Sequence, residues 1–445
     1  MFKQNMKAIK VFVLPLVALL CSIPSWAGDG KKHNPDSVRL AKEIMQDARL
    51  DSVNAMAKQL LTQGFNAGST YSQVWCRDLN TFIELACDVV PAKNVRGALL
   101  VFFKLQQPNG EMIDGYVTKD QFNWDDNHAY YSKLAPKHVG FKNTVETDQE
   151  TSLIQAVYKY IAKTGDKSLL QEKVGKKTVA ERIHDMIAYL KKERYNTKYG
   201  LLSGATTADW GDVQPLSDDV VDVNADTRWA IDVYDNAMLL IALDDMQKMG
   251  IATEDDATLR RSVAHNVRKF LWDADRQKFR AHIYVGESPV PGDFNEDQVY
   301  YHGGTAVAIE AGLLSRHEIA EANGAMLRDV DLSGMPTIGL TLYPTYPEGW
   351  FHGGMAKPYI YQNGGDWTWF GGRMIQQLVR YGLVQQAYLE MKPMIDRVIK
   401  DKGFYEWYGQ GNVPNGSGNF KGSAGVLYKA IQMLRDWARD KAKQE

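Results

Sequence analysis

The chain reads as an all-α protein, an (α/α)6 toroid of six helical hairpins, with long loops and any short strands at one mouth of the ring. Three observations predict it. Helical periodicity runs almost unbroken from residue 37 to residue 440. The connections between helical stretches alternate between brief and long. The long ones concentrate aromatic and acidic residues, as loops that serve a site do.

Apolar spacing predicts twelve helices, at 37–63, 77–90, 94–107, 148–164, 177–193, 229–248, 256–272, 299–314, 316–329, 366–381, 384–398 and 421–440. Leu153, Ile154, Val157, Tyr158 and Ile161 illustrate the period. The links at 89–94, 164–169, 249–255, 314–317 and 381–384 are brief and suit antiparallel neighbours. Those at 71–78, 110–149, 199–227, 277–300, 334–366 and 403–421 precede the even-numbered helices. If every long loop emerges at one end, the even helices line a ring and the odd helices wrap it. The weak alternation at 278–285 suggests a short hairpin. With no Pro/Ser linker in view, residues 35–445 are expected to form one domain; the rival is a cut in the Pro289-Val290-Pro291-Gly292 run.

Residues 1–27 read as a secretory signal. Lys3, Lys7 and Lys10 form its basic front, 11–20 its apolar centre, and Ser25-Trp26-Ala27 a small-x-small cleavage site. The apolar run is too short for a permanent span, and no other membrane segment is expected. Cys21 lies in a poor lipoprotein box, with Leu20 where a small residue is wanted, so export to the periplasm or the medium is the leading expectation and anchoring the lesser one. Cys76 and Cys87 fall near opposite ends of one helix, too far apart to bridge. A formal charge of −2 gives no reason to expect nucleic acid. No metal or cofactor is called for: the nine histidines show no His-x-x-x-His pair, and Asp293, Asn295 and Asp297 lack the rest of an EF-hand. Oligomeric state is not legible.

The loops carry the chemistry. The stretch 200–214, GLLSGATTADWGDVQ, sets Asp209 and Asp212 around Trp210 and Gly211. A carboxylate beside an indole suits a sugar, since the ring stacks on a pyranose face while the acid reaches a glycosidic oxygen. VWCRD at 74–78 offers Trp75, Arg77 and Asp78; GEMIDGY at 110–116 offers Asp114; and 122–131 adds Trp124, Asp125, Asp126 and His128. Asp148 with Thr151 reads first as a helix cap. In 343–366, Glu348 and Trp350 form a second acid–indole pair, and Gln362 and Asn363 lead into Asp366, Trp367 and Trp369. In 403–421, Glu406 lies between Tyr405 and Trp407, placed to orient water as a general base.

At these loops the chain resembles the six-hairpin glycosidases: glucoamylases, trehalases, neutral invertases and the glucosidase part of glycogen-debranching enzymes. YQNGGDWTW at 361–369 is similar to their HNG-x-W-P-W stretch, with Asp366 and Thr368 as departures. The 405–428 segment is similar to their last inner-helix entry, and Thr206–Asp209 with 233–238 to their TWMD…NALWYNAL pairing, although the Trp here follows Asp209. The resemblance implies an inverting glycoside hydrolase acting on an oligosaccharide, with an Asp general acid and a Glu general base. Asp209 would be the acid, with Asp212 its substitute; Glu406 would be the base, with Glu348 its substitute. In an inverting enzyme the two carboxyls stand roughly 6.5–9.5 Å apart. Trp75, Arg77, Asp78, Trp124, Trp210, Trp350, Gln362, Asn363, Trp367 and Trp407 would bind sugar. The fold also hosts lyases and epimerases, a lyase having His352 and Tyr359 as available bases, and a non-catalytic glycan-binding protein would keep the aromatics without paired acids.

Overall fold

A computed structural model describes residues 35–123, 128–215 and 220–443. Thirteen α-helices occur among them: α1 (Pro35–Gln46), α2 (Ala48–Leu61), α3 (Cys76–Val89), α4 (Ala92–Leu105), α5 (Gln149–Thr164), α6 (Val179–Glu193), α7 (Val233–Met249), α8 (Glu254–Asn266), α9 (His302–Glu310), α10 (Arg316–Ser333), α11 (Thr368–Arg380), α12 (Val384–Asp401) and α13 (Lys421–Ala442). The count exceeds the expected twelve because the first helix breaks at Asp47. That residue leaves helical geometry at ψ 94° and caps α2 by accepting from the Arg49 N–H.

The ring closes. α3 packs on α5, α5 on α7, α7 on α9, α9 on α11, α11 on α13, and α13 returns to α3. The remaining helices wrap outside, α4, α6, α8, α10 and α12 each against an inner neighbour and α2 against α3 and α13. Burial explains the sorting. All but the last residue of α9 and most of α7 are buried, as helices apolar on every side must be. One hydrophobic core extends from Ala41 to Ala438. A smaller cluster around Tyr301, Tyr346, Trp350 and Phe351 lies under the loops.

The two helix classes also start differently. The outer helices α6, α8 and α10 open on capping boxes, Thr178 with Glu181, Thr253 with Asp256 and Ser315 with Glu318. The inner helices α3, α9, α11 and α13 instead have aromatic N-cap residues, Trp75, Tyr301, Trp367 and Phe420, with no side-chain cap. Their first N–H groups are thereby left to other partners.

Short antiparallel strands tie the loops together. One sheet runs Val74–Trp75, Gly115–Thr118, His138–Phe141, Ala129–Tyr130 in spatial order. Tyr405–Gly409 pairs with Val413–Gly418. The hairpin expected at 278–285 does not form: Lys278–Phe279 pairs back with Trp272–Asp273, while Ile283–Val285 pairs with Trp229–Ile231, which therefore is strand rather than the start of α7. Cys76 and Cys87 are both free thiols. Among the described residues no helix is long and apolar enough to cross a membrane.

Candidate active site

A cavity of about 230 Å³ opens where the inner helices begin. Its acids are Asp78, Asp114, Glu146, Asp212 and Glu406; its rings include Tyr71, Trp75, Trp210, Tyr361, Trp367 and Trp369. Three of the aromatic N-cap residues, Trp75, Trp367 and Phe420, line it. The helix entries thus supply walls, and the loops between them supply acids.

Asp212 comes from the loop ahead of α7. Its backbone is pinned on both sides: the Asn143 amide donates to its carbonyl at 2.6 Å, and its N–H donates to Gln362 at 3.4 Å. The Tyr361 hydroxyl donates to Oδ2 at 3.1 Å, whereas the buried Oδ1 has no hydrogen-bond partner among the described residues. Burial raises the pKa of this carboxyl, against the pull of Arg77 and the Tyr361 hydrogen bond. An acid held by one oxygen and orphaned at the other is suited to carry a proton on the second.

Glu406 stands on the Tyr405–Gly409 strand. Tyr71 donates to its Oε1 at 3.0 Å and the Ser417 N–H to its Oε2 at 2.8 Å. Burial pushes it up to about 7, although both hydrogen bonds favour the ionised form. Gly416 is what allows the strand partner to come so close: a Cβ there would sit 2.5 Å from Oε2, and φ is +67°.

The floor is a charge network. Arg77 donates through Nε and Nη2 to the two oxygens of Asp148, each at 2.8 Å, and Nη2 lies 3.2 Å from Glu146. Tyr234 adds a donor to Asp148 at 2.7 Å. Burial opposes ionisation of Asp148, yet Arg77 and Tyr234 hold its carboxyl below the usual range. Glu146 is driven well up by burial and hydrogen-bonds Asp114, itself raised to about 7 by burial. Asp78 is lifted to about 8 by burial and by the neighbouring Glu406.

Of the residues singled out from the sequence, the cavity brings together Trp75, Arg77, Asp78, Trp210, Asp212, Gln362, Trp367 and Glu406. Five others stand elsewhere. Asp209 does not line it; its buried carboxylate accepts from the Gly304 N–H at 2.8 and 3.0 Å, at the start of α9. Glu348 is exposed on a turn. Trp350 is core, stacked on Tyr346 at 4.2 Å with its N–H given to the Pro289 carbonyl. Asn363 braces its own loop through both backbone groups of Tyr346. Trp407 lies outside the lining, edge-on to Tyr361 at 6.4 Å. Trp124 lies outside the described residues.

Sequence reasoning passed over Tyr71, Asn143 and Glu146 as site residues. Each sits a few positions ahead of an inner helix, and that position was the available signal. Asp148, read as a cap, makes no side-chain cap bond and is the partner of Arg77 instead.

A scan against family models and a search of curated proteins both find no match. Solved structures do match. A GH63 mannosylglycerate hydrolase from Thermus thermophilus, solved with glucose, is similar at a TM-score of 0.61 and 14% identity, over 84% of this chain and 99% of that one. A rhamnosidase from Klebsiella oxytoca with rhamnose bound is similar at 0.56 and 13%, over 87% and 64%. A variant glycosidase is similar at 0.53 and 14%, over 88% and 98%. At these identities what is shared is the fold, the (α/α)6 toroid of six-hairpin glycosidases.

Proposed function

We propose that this protein is a glycoside hydrolase that cleaves a glycosidic bond of an oligosaccharide with inversion. Asp212 protonates the leaving oxygen. Glu406 takes a proton from the water that attacks the anomeric carbon, so the bond to the leaving group breaks as the bond to water forms. One observation carries the reading: two acids, the buried Glu406 and the half-buried Asp212, delivered by loops far apart in sequence, face a single aromatic cavity, and one Asp212 oxygen has no partner among the described residues. The glycosidases that share the fold support it. Asp212 replaces Asp209 as the acid because Asp209 is spent on the α9 backbone. Trp75, Trp210 and Trp367 supply aromatic wall, while Asp78 and Gln362 offer hydroxyl partners. The small cavity suits a single sugar unit at the point of cleavage. The basic, apolar and small-residue pattern of residues 1–27 supports export; amino-terminal sequencing of the mature protein tests it.

The decisive experiment is turnover of a glycoside panel by the wild type, Asp212→Asn and Glu406→Gln, with NMR of the first anomer released. Each variant is expected to lose turnover while retaining sugar binding, and the product anomer to be opposite to the substrate's. Unchanged turnover in either variant removes the mechanism; binding without turnover in the wild type makes this a glycan-binding protein.

A further inference from the structure

Asp209 is costly to place. It is a non-glycine residue at φ +55°, the left-handed region that side chains resist. It is buried, no cation among the described residues lies within hydrogen-bond reach of it, and burial raises its carboxyl to about 8 against the N–H groups of Gly304 and Gly303. Those two glycines open α9, where orphan N–H groups favour a carboxylate. A Cβ on Gly303 would lie 2.6 Å from Asp209 Oδ2, and one on Gly304 2.7 Å from Oδ1. The helix start is therefore stripped of side chains on the side where this carboxylate sits.

The rest of the loop is held in the same manner. Thr207 donates its hydroxyl to the Asp209 carbonyl at 2.9 Å, and the Gly211 N–H returns to the Ala208 carbonyl at 3.0 Å. The Thr207 carbonyl accepts from His282 Nε2 at 3.0 Å and from Tyr301 at 3.3 Å. His282 Nδ1 meets Glu296 at 2.8 Å. His282 thus ties the Thr207 carbonyl to Glu296, and this buried pair backs the turn. Three residues beyond Asp209 the chain delivers Asp212 to the cavity.

We propose that Asp209 is a positioning residue: its clasp on the first N–H groups of α9 sets the backbone of 207–212 and so the placement of Asp212. The proposal rests on Asp212 being the proton donor. It assigns to the acid pair in DWGD a division of labour, one carboxylate for the scaffold and one for the substrate.

The test compares Asp209→Asn, Asp209→Ala, Gly304→Ala and Asp212→Asn in the full chain. The probes are p-nitrophenyl and methyl α- and β-glycosides of glucose, mannose, galactose and rhamnose. Asparagine keeps an oxygen for the Gly304 N–H, so Asp209→Asn is expected to keep most of the wild-type kcat and the alkaline limb of the pH profile. Asp209→Ala and Gly304→Ala are expected to lose kcat by about a hundredfold, the usual cost of a misplacement near 1 Å, with KM little changed. Hydrogen exchange supplies a readout that needs no turnover: amides of 208–212 exchange faster in Asp209→Ala and Gly304→Ala but not in Asp209→Asn. If Asp209→Ala does not fold, the other two variants carry the comparison. The proposal is overturned if Asp209→Asn loses the alkaline limb as Asp212→Asn does, or if the alanine variants leave 208–212 exchange unchanged. Full turnover by Asp212→Asn, with the exchange pattern as expected, instead removes the assignment of the acid and leaves the clasp standing.

Discussion

Replacing Tyr71 by Phe removes one hydroxyl and keeps the ring that lines the cavity. That hydroxyl donates to Glu406 Oε1 at 3.0 Å, and the Ser417 N–H remains as the other donor. A hydrogen bond to a charged group contributes about 1.5–3 kcal/mol. Tyr71 is half-buried, so solvent partly replaces the lost donor, and the lower figure applies. At about 1.4 kcal/mol per tenfold change in acidity, the carboxyl becomes roughly one decade harder to ionise. A general base must be ionised in the free enzyme, so the acidic limb of kcat/KM reports Glu406. It is expected at about 7 in the wild type, moving to about 8 in Tyr71→Phe. At pH 6 the variant then runs about tenfold slower, while well above the limb the two converge. The assay is kcat/KM from pH 5 to 10 on one cleaved glycoside. An acidic limb that stays in place, or a uniform loss at every pH, refutes both the hydrogen-bond account and Glu406 as the base.

Stability is expected to fall as pH rises from 5 to 8. Burial pushes Asp78 and Asp209 to about 8 and Asp114, Asp232 and Glu406 to about 7 in the fold, whereas unfolded carboxyls titrate near about 4. Between those limits the fold holds protons that the unfolded chain has released, so this contribution is complete below the lower limit and is lost through the upper one. A thermal midpoint higher at pH 8 than at pH 5 contradicts it. Asp366→Ala is expected to cost about 3–5 kcal/mol in urea unfolding, because it strands a buried guanidinium. Arg397 is fully buried, donates to Asp366 at 2.9 Å and lies over the Tyr408 ring at 3.8 Å. Adding Arg397→Met to Asp366→Ala is expected to recover much of the loss, and no recovery means that packing rather than charge dominates. Trp350→Ala is expected to lower stability by about 3–5 kcal/mol and leave sugar affinity unchanged, since that ring is core. A loss of affinity without a loss of stability reverses that placement.

Helix period and loop length were legible without coordinates. The six inner helices fall within a few residues of their expected places, because a periodic apolar face and a short link each have few ways to pack. The aromatic and acidic content of the loops likewise marked Trp75, Arg77, Asp78, Asp212 and Glu406, all of which meet in one cavity. What local sequence did not carry was which acid of a pair faces in. Asp209 and Asp212 share an indole and a turn, and they differ in what lies across the fold: the Gly303–Gly304 helix start for one, Asn143, Tyr361 and Gln362 for the other. The same holds for Trp350 and Trp367, two indoles of the connection ahead of α11 that end up in a core and a cavity wall. A side chain's partners at a helix entry are chosen by ring closure, which brings together residues from 69 to 335 positions apart. Composition therefore determined the kind of site this chain builds, and only tertiary packing decided which members of each chemically similar pair it uses.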